Sequence, residues 1–158
     1  MQERHISIVL QGKTLAEQRI GNAEYVYYTT LWGCPAEIYY SPHAWSRAKE
    51  RWGSPSKEYF MQECMDILDN DDLDMELLSV PEDTPIALLD EATGKIIWFR
   101  IIFNASGMKY EIFIHSVLLF EYSLQKYVFV TKNDFYVKIC KNGEIVSGIN
   151  RIPEFKVK

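Results

Sequence analysis

Between Lys57 and Lys95 the chain has no lysine or arginine. A stretch of 37 residues without a cation cannot neutralise phosphates, so residues 58–94 are excluded as a nucleic-acid-binding surface. Cysteine is also scarce. Cys34, Cys64 and Cys140 are an odd number, far apart, with no C-x-x-C pair. That spacing excludes a zinc ribbon, a redox dithiol and a disulfide framework, and it predicts reduced, mostly buried thiols in a cytoplasmic protein. Long apolar runs are missing too. The richest, "IIWFRIIF" at 96–103, carries Arg100 in its middle, and a membrane-spanning helix needs about 20 apolar residues. Near the N-terminus, Ile6 to Leu10 is too short for the apolar core of a signal peptide. No membrane partner is expected.

Phosphate-binding and catalytic signatures are absent as well. There is no G-x-G-x-x-G, no complete Walker loop and no G-x-S-x-G. "ATGK" at 92–95 lacks both the first glycine and the following hydroxyl residue. No cofactor and no metal is expected. The three histidines, His5, His43 and His115, show no ligand spacing.

What is present points to a packed domain. Of 158 residues, 47% are hydrophobic and 14% aromatic, too apolar for disorder. A chain of this length buries roughly 70% of its unfolded surface. We expect a single domain over residues 1–158, with the three cysteines inside it.

The pattern along the chain predicts an α+β fold: a mainly antiparallel sheet with two helices inserted between its N-terminal and C-terminal strands. Strands are expected at Ile6–Gln11, 23–33 and 36–41. Ser41 and Pro42 then read as N-cap and first turn of a helix that Gly53 stops. Ser54 and Pro55 read as the start of a second helix, with Phe60, Met61, Cys64, Met65, Ile67 and Leu68 on its apolar face. Beyond residue 84, β-forming runs alternate with turn signals. "DEATGK" offers Gly94 for a positive φ, and "NASG" marks another turn. Asn142-Gly143 reads as a two-residue type I′ hairpin turn flanked by Lys141 and Glu144. The stretch 108–124 fits a strand or a buried helix.

The feature that stands out is "DILDNDDLDMELL", residues 66–78, with six carboxylates in thirteen positions. A calcium loop begun at Asp69 fails: its fifth, sixth and twelfth positions are Leu73, Asp74 and Val80, where an oxygen ligand, a glycine and a glutamate are needed. A two-metal catalytic cluster would need its carboxylates anchored among apolar neighbours, whereas Asp69, Asp71 and Asp72 fall in a turn. The wider charge layout is lopsided. Twelve of the chain's 22 acids lie in 58–94, while all 17 bases lie outside with the other ten acids. Asp66 and Asp69 also fall at the C-terminal end of the second helix, where the helix dipole disfavours negative charge. Either Asp71 or Asp72 caps a following short helix, "LDMELL", or "LDMEL", which alternates, is an edge strand kept from sticking by its acids.

The expected function is therefore a non-enzymatic binding protein that docks on a basic protein surface through Asp66, Asp69, Asp71, Asp72, Asp74 and Glu76. An inhibitor, immunity or anti-defence role against a nuclease-like target fits that chemistry. The alternative is a small hydrolase or nuclease using His115 with Glu111 or Tyr110. Direct nucleic-acid binding is not expected: in the one basic helix, "SRAKERW", Trp45 and Trp52 fall on the apolar face. Its cations are expected to pair with the acids that follow.

Overall fold

The structure is a computed structural model that describes residues 4–7, 25–82, 84–148 and 152–158. It is α+β, with a mainly antiparallel sheet and helices between the N-terminal and C-terminal strands. The first strand is β1 (Arg4–Ser7), and the rest of the expected Ile6–Gln11 strand lies outside the described residues. Then come β2 (Tyr25–Leu31), β3 (Cys34–Tyr40), α1 (Pro42–Arg51), α2 (Lys57–Leu68) and a short α3 (Leu73–Leu78). The chain continues with β4 (Ile86–Asp90), β5 (Lys95–Asn104), β6 (Lys109–Leu119), β7 (Val128–Val130), β8 (Phe135–Ile139), β9 (Ile145–Ser147) and β10 (Phe155–Val157).

Eight strands form one sheet in the order β1-β2-β3-β6-β5-β4-β8-β9. Five of its seven pairings are antiparallel; β3 with β6 and β4 with β8 run parallel. β7 and β10 stand apart as a parallel two-stranded ribbon. The helices among the described residues cover one face of the sheet. Under them Tyr40, Phe60, Met61, Leu68, Leu73, Leu77, Phe99 and Ile114 form the larger core. Across the sheet, Ala87, Leu89, Ile96 and Tyr136 pack against Val128, Val130 and Phe155 of the ribbon. Residues alternate between these two cores along β4, as a strand covered on both faces requires.

Helix α1 follows its sequence signals. Ser41 Oγ accepts the Ala44 N–H at 3.2 Å, Pro42 opens the first turn, and Gly53 follows the last with φ +67°. The start of α2 differs from expectation. Its cap is Ser56, whose Oγ accepts the Tyr59 N–H. Ser54 is instead buried and donates to Glu63 Oε1 at 2.6 Å.

Two hairpins exchange roles. The Asn142-Gly143 turn is not type I′, because Asn142 lacks the positive φ that such a turn needs at both central residues. The Gly143 N–H closes on the Cys140 carbonyl, Cys140 pairs with Glu144, and Gly143 alone has φ +88°. That is the three-residue hairpin with a glycine bulge. The two-residue turn with two positive φ values is Trp32-Gly33, at +52° and +79°, between the paired residues Leu31 and Cys34. Tryptophan is an unusual residue for that conformation. Its indole N–H donates to the Leu68 carbonyl at 2.9 Å, and its ring meets Tyr110 edge-on at 5.3 Å. The strained turn thus caps the C-terminus of α2.

Residues 109–119 are a strand, not a helix. The run reads ambiguously because Ile112 and Ile114 face the helices while Glu111 and Phe113 are buried on the other face. Gly94 has φ +76°, as its turn predicts. Its carbonyl accepts the Phe120 N–H at 2.6 Å, and a β-carbon there would collide with the Phe120 carbonyl.

Candidate functional site

The acidic segment is built by the end of α2, a four-residue turn and α3. Asp66 is exposed on the last turn of α2 and accepts Gln62 Nε2 at 2.9 Å. Asp69 is the C-cap residue. In the turn, Asn70 organises the backbone. Its Oδ1 accepts the Asp72 N–H at 3.0 Å, and its carbonyl accepts the Leu73 N–H at 3.1 Å. Leu73 and Leu77 anchor α3 in the core. Asp72 sits at the N-cap of α3 but makes no side-chain capping bond. Asn70 takes only the Asp72 and Leu73 N–H groups, the Met75 N–H goes to Asp74 Oδ1, and the Asp72 side chain is exposed.

The six acids therefore divide. Asp66, Asp69, Asp71 and Asp72 are exposed, and Asp74 and Glu76 are half-buried. Glu76 is committed to the fold, since its Oε2 accepts the Ser147 hydroxyl of β9 at 2.6 Å. Asp74 Oδ1 accepts the Met75 N–H. None of the six makes an ion pair among the described residues. The last turn of α2 has no basic residue to offset them. Asp69, Asn70, Asp71 and Asp72 face the β8–β9 hairpin residues Asn142, Gly143 and Glu144 across a shallow depression. No group of three or more potential metal ligands lies among the described residues.

The basic helix does not answer this charge. Arg47 pairs with Glu50 on its own helix at 3.0 Å, and Arg51 donates to the Val117 carbonyl at 2.8 Å. Lys49 lies over the Trp45 ring at 5.3 Å. All three cations have other partners, and among the described residues the expected pairing with the acidic segment is absent. The two tryptophans pack against the core as their spacing predicts.

An apolar surface that the sequence reading missed adjoins the acids. Met75 is 77% exposed and Leu78 52%. Leu78 lines a groove of about 340 Å³ with Leu77, Val80, Ile101, Phe103 and Glu82. In "LDMELL" the inward leucines 73 and 77 leave Met75 and Leu78 outward, which is legible only once the segment is known to be helical.

The histidine alternative finds a different geometry. β5 and β6 slip register between Trp98 and Phe99, and His115 is the extra residue of that β-bulge. Glu111 lies four residues away along the same strand, roughly 13 Å at about 3.3 Å per residue. Its carboxylate is buried and accepts Asn104 Nδ2 at 3.0 Å. Tyr110 turns to the helix-side core. The structure does not bring His115 together with either. His43 is exposed on α1, and His5 falls on β1, where side chains are not described.

Two further buried acids, Glu63 and Glu37, are ion-paired. Glu63 meets Lys95 Nζ at 2.5 Å. Glu37 is bound by Lys109 and by the Tyr39 hydroxyl, and burial with the Glu37 charge pushes the Tyr39 phenol far above its ordinary range. The three cysteines are free thiols; burial raises Cys64 well above the usual thiol value, and Cys140 is raised for the same reason. Among the described residues no helix is long and apolar enough to cross a membrane. No protein family, curated protein or solved structure matches this chain.

Proposed function

We propose that this chain is a non-enzymatic binding protein whose acidic α2–α3 surface docks on a basic surface of another protein. One observation carries the reading. Asp66, Asp69, Asp71 and Asp72 are exposed without an ion pair among the described residues, beside the exposed Met75 and Leu78. Protein interfaces combine apolar anchors with a charged rim in this way. The apolar side chains supply affinity, and the acids supply steering and selection of a basic partner. The cleft of a nuclease-like protein is one such surface, and an acidic protein seated there acts as an inhibitor, an immunity protein or an anti-defence factor. Glu76 contributes by fixing α3 to β9 rather than by touching the partner.

Reversing Asp69, Asp71, Asp72 and Asp74 to lysine tests the proposal. Partner capture is expected to disappear while the thermal unfolding curve stays close to the wild type's. Capture of the same partners by the reversed protein would overturn it.

A further inference from the structure

Two segments that look unremarkable in the sequence, "KYVFVTK" at 126–132 and "FKVK" at 155–158, meet in the β7–β10 ribbon. Their alternation sorts side chains by face. Val128, Val130 and Phe155 point inward, 5%, 2% and 3% exposed, and Phe155 stacks on Tyr136 with ring centroids 5.4 Å apart. Tyr127 and Phe129 point outward, 43% and 58% exposed. Lys156 on β10 and Lys158 just after it are exposed, and the register sets Lys156 beside Phe129. Lys156 Nζ also lies 4.8 Å from the centroid of the Tyr127 ring. Lys126 and Lys132 bracket β7, both exposed. None of these four lysines makes an ion pair among the described residues. The neighbouring acids are occupied: Glu154 holds Lys138 at 2.9 Å, and buried Asp134 accepts the Thr131 hydroxyl. Tyr127, Lys156, Phe155, Ile152 and Pro153 line a groove of about 410 Å³.

We propose that the outward face of the β7–β10 ribbon binds single-stranded nucleic acid. Bases would stack on Phe129 and Tyr127, and Lys126, Lys132, Lys156 and Lys158 would neutralise the backbone. The argument is one of complementary chemistry. Unpaired bases offer flat π surfaces joined by anions, and this ribbon offers two rings two residues apart on one strand face, edged by four unpaired cations. Tyr127 keeps a polar hydroxyl, and its ring shares a groove with Lys156. A bilayer-binding face would add deeper apolar insertion to its aromatic rings and lysines, and exposed Leu124 lies in the preceding turn, off the ribbon. The exposed acids of 66–76 do not oppose this. They sit on the helix layer, on the other side of a sheet whose packed layers are about 10 Å apart, and the Debye length at physiological salt is about 8 Å. The proposal departs from the expectation drawn from α1, which concerned a different surface, and it is independent of the acidic docking surface.

The test is fluorescence anisotropy with a labelled oligothymidine and oligouridine of about twelve nucleotides, within the roughly 4–16 that such sites cover. A mixed-sequence duplex of the same length is the comparison. The single strands are expected to bind more tightly than the duplex, with affinity falling as salt rises. Phe129→Ala is expected to weaken binding by about tenfold or more. Lys156→Ala and Lys158→Ala should each reduce the slope of log K against log salt by about 0.7. Phe129→Leu keeps an apolar side chain but has no π face, and it should lose as much as the alanine variant. Thermal unfolding of each variant checks the fold, and the exposure of these residues predicts little change. No binding at low salt, equal affinity for the duplex, or binding untouched by Phe129→Ala would overturn the proposal. Retention on phosphatidylserine vesicles without oligonucleotide binding would also overturn it and assign the ribbon to lipid.

Discussion

The carboxylates buried between and within the layers and those of the α2–α3 turn are the same chemical group under opposite treatment. Glu37 and Glu111 of the sheet and Glu63 of α2 are nearly buried, and each is bonded: Glu37 to Lys109 and Tyr39, Glu63 to Lys95 and Ser54, Glu111 to Asn104. Glu37 and Glu111 even face one another across the β3–β6 pairing. Like charges placed so are unfavourable, so the surrounding donors are what makes the arrangement tolerable. In the turn, Asp69, Asp71 and Asp72 are exposed and receive no cation among the described residues. A buried acid must be partnered to be kept at all. A surface acid can be kept unpaired at little cost. The first kind therefore reports on the fold, and the second is open to selection for a partner.

This contrast can be broken at several points. Glu63→Ala should have the largest effect. It strands Lys95 and the Ser54 hydroxyl in a mostly buried site, and urea unfolding should show a loss of roughly 2–3 kcal/mol. Trp32→Phe should cost about 1 kcal/mol. It removes the indole bond to the Leu68 carbonyl and leaves the end of α2 uncapped. By contrast, Asp69→Lys and Asp71→Lys should each change stability by no more than about 0.5 kcal/mol. Asp69→Lys should stabilise slightly, because it places a cation at the C-terminus of α2. A loss as large as that of Glu63→Ala would erase the distinction between the two classes of acid.

Glu91 gives the smallest and most pH-dependent effect. The Lys141 backbone N–H bonds to its carboxylate, with Lys138 nearby, and together they outweigh desolvation and hold its pKa below the ordinary value. A lowered folded pKa means stability that is present at neutral pH and lost as pH falls from about 4.3 through the folded value. Glu91→Gln should therefore flatten the acid limb of a plot of melting temperature against pH and leave the neutral limb nearly parallel. An unchanged acid limb would show that the Lys141 bond contributes nothing.

Much of the fold was legible wherever a local signal had a local cause. Ser41, Pro42 and Gly53 bracket α1 through their own backbone chemistry, and Gly94 sits where its turn needs a positive φ. The signals failed where tertiary contacts decided. Asn142-Gly143 carries the residues of a type I′ turn, yet Trp32-Gly33 adopts it, because the Trp32 indole is rewarded by a carbonyl 36 residues away. Strand β6 hid its period because both of its faces are buried. β10 was missed altogether: three residues paired with three others far back in the chain leave almost no sequence pattern. For the candidate site the acids were visible as composition. Which of them are free was not, and neither were exposed Met75 and Leu78, since both depend on where Leu73 and Leu77 are anchored. The lysine and aromatic face of the ribbon exists only after β7 and β10 meet.

The central claim is that the unpaired acids and the apolar side chains beside them form one docking surface. The most direct measurement compares protein capture by the wild type and by two variants, after digestion of nucleic acid and at low and high salt. One variant reverses Asp69, Asp71, Asp72 and Asp74 to lysine; the other is Met75→Ala with Leu78→Ala. The account predicts a partner held by the wild type at low salt, released at high salt, and lost by both variants although each unfolds at close to the wild-type temperature. A partner held equally by all three proteins, or no partner at either salt, would contradict it.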